Sequence, residues 1–309
     1  MRYTFLMPAF KEPYLKEAIG SILAQTYKDF TLIVSDDCSP HNLKAIVDEY
    51  HDDRIIYRRN AHNIGVEKLV DHWNLLLSLA ESDYVILSPD DDVYAPTFLE
   101  EIEKLTRKYP QTGIFKSRAQ IIDAQGNVRK VDNDFSERIS MAYNIYNQIA
   151  EQSFNGIGCY VFNTRQLRDM GGFVYYKMAW GSDTMTNILM SRNGMGVTKD
   201  ILFSFRQSGE NISSRKGSPK EQSTKSRNDL QVRKDIMTVL DSMKPENNDD
   251  LVYMEGVRKQ IQDEYYGLYV GCAPSYSFKD LLKLIMSKPE IFNTPRRKMA
   301  MIKSWITNR

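Results

Sequence analysis

The sequence predicts an α/β fold, a mainly parallel sheet flanked by helices, followed by a helical C-terminal appendage. Three observations predict it. Short apolar runs alternate with helix-periodic stretches through the first third of the chain, the rhythm of right-handed β-α-β crossovers. One run, Tyr84-Val85-Ile86-Leu87, is apolar throughout and leads straight into Ser88-Pro89-Asp90-Asp91-Asp92, as a buried central strand does where it leaves a parallel sheet. Beyond residue 230, helical periodicity takes over.

The elements follow in order. Residues 3–7 read as a first strand closed by Pro8, which has no N–H for a ladder. Leu15, Ala18, Ile19, Ile22 and Leu23 mark one face of a helix over 14–25. Residues 30–34 form a second strand that ends at Ser35-Asp36-Asp37-Cys38-Ser39; a helix carrying Leu43, Ile46, Val47 and Tyr50 and a short strand over 54–58 come next. A third helix, with Val66, Leu69, Val70, Trp73, Leu76, Leu77 and Ala80 near one face, returns the chain to the Tyr84 strand. After the carboxylates, Thr97 and Glu100 have the spacing of a capping box, and Phe98, Ile102 and Leu105 give the next helix its buried stripe. The acidic triplet therefore lies in a strand-to-helix loop at the carboxyl end of the sheet, where open α/β folds bind ligands.

The whole chain of 309 residues is long enough for one large domain with an appendage, or for two. It carries 41 Lys and Arg against 40 Asp and Glu, a net charge of +1, and so offers no global attraction for nucleic acid. Cys38, Cys159 and Cys272 are scattered, without a Cys-x-x-Cys pair, which points to neither a disulfide framework nor a thiolate zinc site, and to a reducing compartment. The apolar stretch at the N-terminus is too short for a signal-peptide core, and no window approaches the about 18 apolar residues of a membrane span. The expectation is a cytoplasmic protein. A Gly-x-Gly-x-x-Gly turn and a Gly-x-x-x-x-Gly-Lys loop are both missing, so a nucleotide would not be held by a glycine cradle.

Three adjacent carboxylates at a sheet edge repel one another unless a cation compensates. Magnesium or manganese suits such a site, since each takes oxygen ligands and uses one or two protein carboxylates together with substrate phosphates. The chemistry inferred from the triplet is a metal-held diphosphate; the alternative is an acidic turn favouring the dipole of the next helix.

Met7-Pro8-Ala9-Phe10, the run Ile22-Leu23-Ala24-Gln25-Thr26-Tyr27-Lys28-Asp29-Phe30, Val34-Ser35-Asp36-Asp37-Cys38-Ser39 and Ser88 to Asp92 together resemble the N-terminal half of the family 2 glycosyltransferases, over roughly residues 3–215. The resemblance implies a GT-A type, Rossmann-like mixed sheet. It also implies an inverting, metal-dependent glycosyl transfer from a nucleotide sugar, UDP-linked by expectation, to a hydroxyl of a saccharide or lipid-linked glycan in polysaccharide or glycoconjugate biosynthesis. Carried over by position, Pro8, Ala9 and Phe10 line the base pocket and Asp37 accepts from the nucleobase, with Asp36 beside it; the alternative for the aspartates is capping the turn before the Asn42 helix. Lys68 is placed to reach the donor from the third helix, with a solvated lysine as the alternative. Asp90 takes the ribose side of the DXD motif, and Asp91, assisted by Asp92, holds Mn2+ or Mg2+. Pro89 stands where the commonest family pattern has its first acidic residue, and Ser208 where many members have a histidine that joins the metal.

In the second half, residues 114–122 read as a strand, 123–127 as a turn, 128–150 as polar, irregular chain before a helical stretch, and 156–162 as a buried strand that in the resembling family faces the acceptor. A short helix over 165–170 ends at Gly171-Gly172. Asp183, in Trp180-Gly181-Ser182-Asp183-Thr184, occupies the family's catalytic-base position, against the alternative of a helix N-cap. Residues 201–213 resemble the family's closing strand and loop, where Arg206 has two readings, contact with the diphosphate or a structural ion pair.

The catalytic domain is thus expected over 1–215, and a linker and helical region over 216–309. Residues 215–227 read as a mobile linker or lid, and helices are expected over 230–243, 251–270, 278–286 and 295–306. These leave open packing on the catalytic domain, a homodimer contact or a part in the acceptor site. The basic, apolar tail over 296–309 has the pattern of a peripheral helix at the inner face of the plasma membrane, with a packed terminal helix as the alternative. Two other classes stay open: a catalytically silent sugar-nucleotide-binding protein, and a sugar nucleotidyltransferase, which would be expected to carry a glycine-rich basic loop in place of residues 8–13.

Overall fold

The computed structural model describes residues 2–150, 153–209, 211 and 217–307. Its first half is β1 (Tyr3–Ala9), α1 (Leu15–Leu23), β2 (Phe30–Asp36), α2 (Leu43–Asp48), β3 (Ile55–Arg59), α3 (Leu69–Leu79) and β4 (Tyr84–Leu87). β1 lies between β2 and β4, with β3 beyond β2, and all four run parallel. Tyr3, Phe5, Leu6 and Met7 are buried on both faces of β1, as a strand covered by helices on either side requires. Contrary to the sequence expectation, β1 does not stop before Pro8 but runs on to Ala9, which pairs with Asp36. The ladder to β4 ends at the Leu6–Leu87 pair, so Pro8 sits where one neighbour has already gone and its missing N–H is tolerated.

The chain continues as β5 (Val93–Tyr94), α4 (Phe98–Lys108), β6 (Ile114–Asp123), β7 (Val128–Val131), β8 (Arg138–Ile139), α5 (Met141–Ile149), β9 (Tyr160–Asn163), α6 (Thr164–Asp169), α7 (Ser182–Met190) and β10 (Met195–Gln207). The main sheet has the order β3-β2-β1-β4-β9-β6-β10-β5, with β7 on β6 and β8 on β10. It is mixed, since β9 is antiparallel to both β4 and β6, and β10 is parallel to β6 but antiparallel to β5. Phe5 is at the centre of the core, its ring 5.8 Å from Phe30, 5.2 Å from Tyr94 and 6.4 Å from Phe98.

Three local expectations change. The two-residue β5 right after the carboxylates is too short to leave a pattern. Residues 157–159 form a 3-10 turn before β9, in which a Cβ at position 158 would come within 2.6 Å of the Phe203 ring and 2.9 Å of Pro89, so only glycine fits. Thr97 is the N-cap of α4 without a side-chain capping bond, and Glu100 instead accepts from Thr26 Oγ1 at 3.0 Å.

The chain divides into two compact units, Met1–Asn211 and Ile212–Arg309. The second contains α8 (Pro219–Ser242), α9 (Asn248–Cys272), α10 (Phe278–Ser287) and α11 (Pro295–Thr307), built around Leu230, Tyr269, Cys272, Leu281, Ile285, Phe292 and Met301. The linker expected over 215–227 is a correction. Residues 215 and 216 lie outside the described residues, but from Pro219 the chain is helical, started by a Ser218–Glu221 capping box with proline in the first turn. The polar composition that suggested a linker is that of a helix start with little to bury. No helix among the described residues is long and apolar enough to cross a membrane.

Candidate active site

β4 ends at the sheet edge and delivers Asp90, Asp91 and Asp92 beside the end of β1. Asp90 Oδ2 accepts from the backbone N–H groups of Phe10 and Lys11, each at 2.8 Å, so the first-strand loop is tied to the triplet. Lys11 Nζ pairs with Asp91 Oδ2 and lies 3.5 Å from Asp90 Oδ1. Asn211 Nδ2 donates to the same Asp91 oxygen at 3.2 Å. Asp92 Oδ1 accepts from Arg206 N at 2.8 Å, while its Oδ2 is buried without a hydrogen-bond partner among the described residues. Burial, and then the neighbouring Asp91 charge, push the Asp92 carboxyl well above the usual carboxylate range; Asp90 is raised by burial in the same way, against the pull of Lys11. Burial works against the charge on Lys11, but Asp90 and Asp91 outweigh it and hold the ammonium pKa above its ordinary value.

Arg206 supports this loop from beneath. It is 1% exposed, donates from Nε to the Asp91 carbonyl at 3.0 Å and from Nη2 to Glu17 at 2.6 Å, and its guanidinium stacks 4.4 Å from the Tyr14 ring. Of its two sequence readings, the structure has the ion pair.

On the other side of β1, Asp36 and Asp37 end β2. Asp36 Oδ1 accepts from Ser39 N at 2.7 Å and Oδ2 from the Tyr57 hydroxyl at 2.7 Å and from Arg59. Asp37 Oδ1 accepts from Asn60 Nδ2 at 2.9 Å and Ile64 N at 2.8 Å, and Oδ2 from Gly65 N at 3.0 Å. Neither caps α2, whose N-cap is Asn42 itself. Asp37 N donates to the Ala9 carbonyl at 2.9 Å and Ser39 Oγ to the Phe10 carbonyl at 2.7 Å, so Pro8, Ala9 and Phe10 are framed by both acidic groups. Phe10 is exposed beside the buried aspartates.

The loop that Asp37 holds continues into a 3-10 turn, Val66–Lys68, where Lys68 is exposed. Glu67 of that turn meets Lys177 at 3.1 Å, which joins it to the loop preceding α7. In that loop Met178, Ala179 and Gly181 all adopt positive φ, of 63°, 56° and 93°. Two non-glycine residues in the left-handed region cost on the order of 1–3 kcal/mol each and persist only where their surroundings impose them. Gly181 is the N-cap of α7, so Asp183 stands in the first turn without being the cap residue. Its Oδ1 accepts from Thr184 N at 2.8 Å, and burial pushes its pKa up to about 6. Hydrogen bonds and ion pairs thus join Asp90 and Asp91 to Phe10 and Lys11, and Asp37 to Ala9, while the Glu67–Lys177 pair joins the turn that carries Lys68 to the loop that precedes Asp183.

Residues 4–170, more than half of the chain, match the family model described as Glycosyl transferase family 2. The chain belongs to this family. Among curated family 2 relatives and related proteins, it is 35% identical over 131 residues to the uncharacterized glycosyltransferase MJ1057 of Methanocaldococcus jannaschii, covering 40% of this chain and 44% of that one. It is 27% identical over 191 residues to protein CgeD of Bacillus subtilis, covering 59% and 42%. The chain spans less than half the length of these relatives. Its fold is GT-A-like: the crystal structure of S. aureus TarS in complex with UDP-GlcNAc superposes with a TM-score of 0.67 at 16% identity, covering 100% of this chain and 89% of that one. The mannosyltransferase PcManGT from Pyrobaculum calidifontis, in complex with GDP-Man and Mn2+, superposes with a TM-score of 0.56 at 14% identity, covering 99% and 86%.

The donor set of this family 2 site fits a hard divalent cation. It offers carboxylate oxygens, among them the buried Asp92 Oδ2, which has no hydrogen-bond partner among the described residues, and two carboxylates, Asp90 and Asp91, face one ammonium. Among the described residues no group of three His, Cys, Asp or Glu side chains makes a complete ligand set. A magnesium or manganese site that borrows substrate phosphates has no need of one.

Two participants escaped the sequence reading. Lys11 lies directly beside the recognised Pro8-Ala9-Phe10 stretch, but nothing in its spacing pairs it with residue 91. Asn211, three residues past the expected Ser208, is the side chain that reaches Asp91 from the closing loop; Ser208 N donates to Asn211 Oδ1 at 3.1 Å. Arg206 did not escape it: the ion pair is one of its two readings, since a charged residue at the end of the apolar run 201–205 must find partners when buried.

Proposed function

We propose that this family 2 protein is an inverting glycosyltransferase that moves a sugar from a UDP-sugar to a hydroxyl of a saccharide or lipid-linked glycan, in the building of a polysaccharide or glycoconjugate. The observation that carries the reading is the convergence of three strand ends: Asp90 holds the Phe10–Lys11 backbone while Asp37 N holds the Ala9 carbonyl, placing the expected base-side and diphosphate-side residues on one continuous edge. Pro8, Ala9 and Phe10, with Asp37 and Asp36, take the nucleobase, Asp90 the ribose and Lys68 the donor's outer side. Asp91 and Asp92 would hold Mn2+ or Mg2+, which when bound offsets the charge that grows on the departing diphosphate.

Asp183 is the base. A carboxylate with a pKa of about 6 is ionised at neutral pH and still basic enough to accept a proton. It takes the proton from the acceptor hydroxyl, whose oxygen bonds to the anomeric carbon as the bond to the diphosphate oxygen breaks on the opposite face. The configuration inverts and the nucleoside diphosphate leaves with the bonding electrons. We also assign α11 a peripheral contact with an anionic membrane at its outward face.

A thermal-shift series with UDP-, GDP- and dTDP-sugars, with and without Mn2+, tests the donor. A ligand at about 100 times its Kd adds about 2.7 kcal/mol to the folded state. UDP-sugars should raise the melting temperature with Mn2+ present, and Asp91→Asn should remove the Mn2+-dependent part. No shift with any nucleotide sugar would sink the reading.

A further inference from the structure

We propose that Lys11 is a resident counter-ion that competes with a divalent cation for the Asp91 carboxylate, so that the ligand-free donor site neutralises itself. The inference rests on Asp91 being the cation-facing carboxylate, as proposed above. Four observations carry it. Lys11 Nζ is seated on Asp91 Oδ2 and 3.5 Å from Asp90 Oδ1, inside the acidic cluster rather than at its rim. Its backbone is fixed, because the Lys11 N–H donates to Asp90 at 2.8 Å, so the root stays while the flexible stem can turn. The Lys11 side chain is 29% exposed whereas those of Asp90 and Asp91 are 6% and 3% exposed, so the lysine side chain borders solvent where the carboxylates do not. Asp92 Oδ2, next along the chain, is buried and has no hydrogen-bond partner among the described residues, an acceptor that the ammonium does not satisfy.

An ammonium and a divalent cation on one carboxylate oxygen repel each other, most strongly in a poorly solvated site, so a metal that takes Asp91 Oδ2 weakens the Lys11 contact and favours its release. An incoming diphosphate favours that exchange, since it gives both cations new oxygens to share. A purely structural Lys11–Asp91 pair predicts lost stability on mutation but no gain in metal affinity.

The test is Mn2+ binding to the full chain without nucleotide, followed by the electron paramagnetic resonance signal of the free ion. Wild type should bind weakly. Lys11→Met, which keeps much of the stem and loses the charge, should bind Mn2+ at least about tenfold more tightly. Lys11→Arg should stay near wild type, and Lys11→Met combined with Asp91→Asn should lose the gain. Equal Mn2+ affinity in wild type and Lys11→Met overturns the proposal. A second measurement needs no variant: acetylation of Lys11, read by mass spectrometry against exposed Lys44, should be slow in the metal-free protein and speed up at saturating Mn2+. An unchanged rate also overturns it. A protein that binds no UDP-sugar fails the donor reading alone, because both measurements omit the nucleotide.

Discussion

At the scale of single residues, the site is an arrangement of carboxylates in different electrostatic settings. Asp36 and Asp37 are committed to backbone and side-chain donors, Asp91 to Lys11 and Asn211, and Asp92 keeps one oxygen without a hydrogen-bond partner among the described residues. Desolvation lifts the Asp183 pKa to about 6, against the opposing hydrogen bonds from the Thr184 and Asp183 backbone and the Thr184 side chain. Because the base works only when ionised, kcat/KM should fall as pH drops through about 6. Asp183→Asn should lower kcat by about 10²–10⁴-fold, as loss of a general base does, and flatten that limb of the pH profile, measured by nucleoside diphosphate release. Wild-type turnover in this variant would remove Asp183 from the mechanism. The aspartates themselves were legible in the sequence because their strand-end positions are local. Their partners were not, since Lys11 and Asn211 stand 80 and 120 residues away from Asp91.

At the scale of elements, apolar periodicity located the helices and strands of the first half well, and lost accuracy where packing overrides composition. Gly158 shows why. The run 156–162 looks like one strand, but Phe203 and Pro89 close in on residue 158, and the chain takes a turn first. Gly158→Val should therefore displace Phe203 or Pro89 and cost about 1–3 kcal/mol, as overpacking does, read as a lowered urea midpoint. The terminal helix is a second case. α11 buries Met301, and its Trp305 ring lies 5.1 Å from Phe278, while Met299 and Ile306 are 66% and 64% exposed on the other face, near Lys303. Packed helix and peripheral helix were alternatives on the sequence; the structure has packing on one face and an apolar stripe on the other. Co-sedimentation with vesicles rich in anionic lipid should weaken in a Met299→Ser, Ile306→Ser variant and with rising salt. Binding that survives the double substitution would dismiss the membrane contact.

At the scale of the molecule, a core of stacked and edge-on rings fixes the strands whose ends carry the site. Phe5 is at its centre, fully buried. Phe5→Ala should cost about 3–5 kcal/mol, a large share of a domain's stability, and should lower the melting temperature with the loss of donor binding following unfolding rather than preceding it. The sequence by itself determined the α/β class, the family and the strand-end positions of the aspartates, because these depend on patterns within a few residues of one another. The order of the second half of the sheet, the lysine set among the carboxylates, the asparagine on Asp91 and the left-handed turn that presents Asp183 were decided only by tertiary structure. Contacts between segments so far apart leave no local pattern, and they exist only once the sheet has closed and brought the strand ends together.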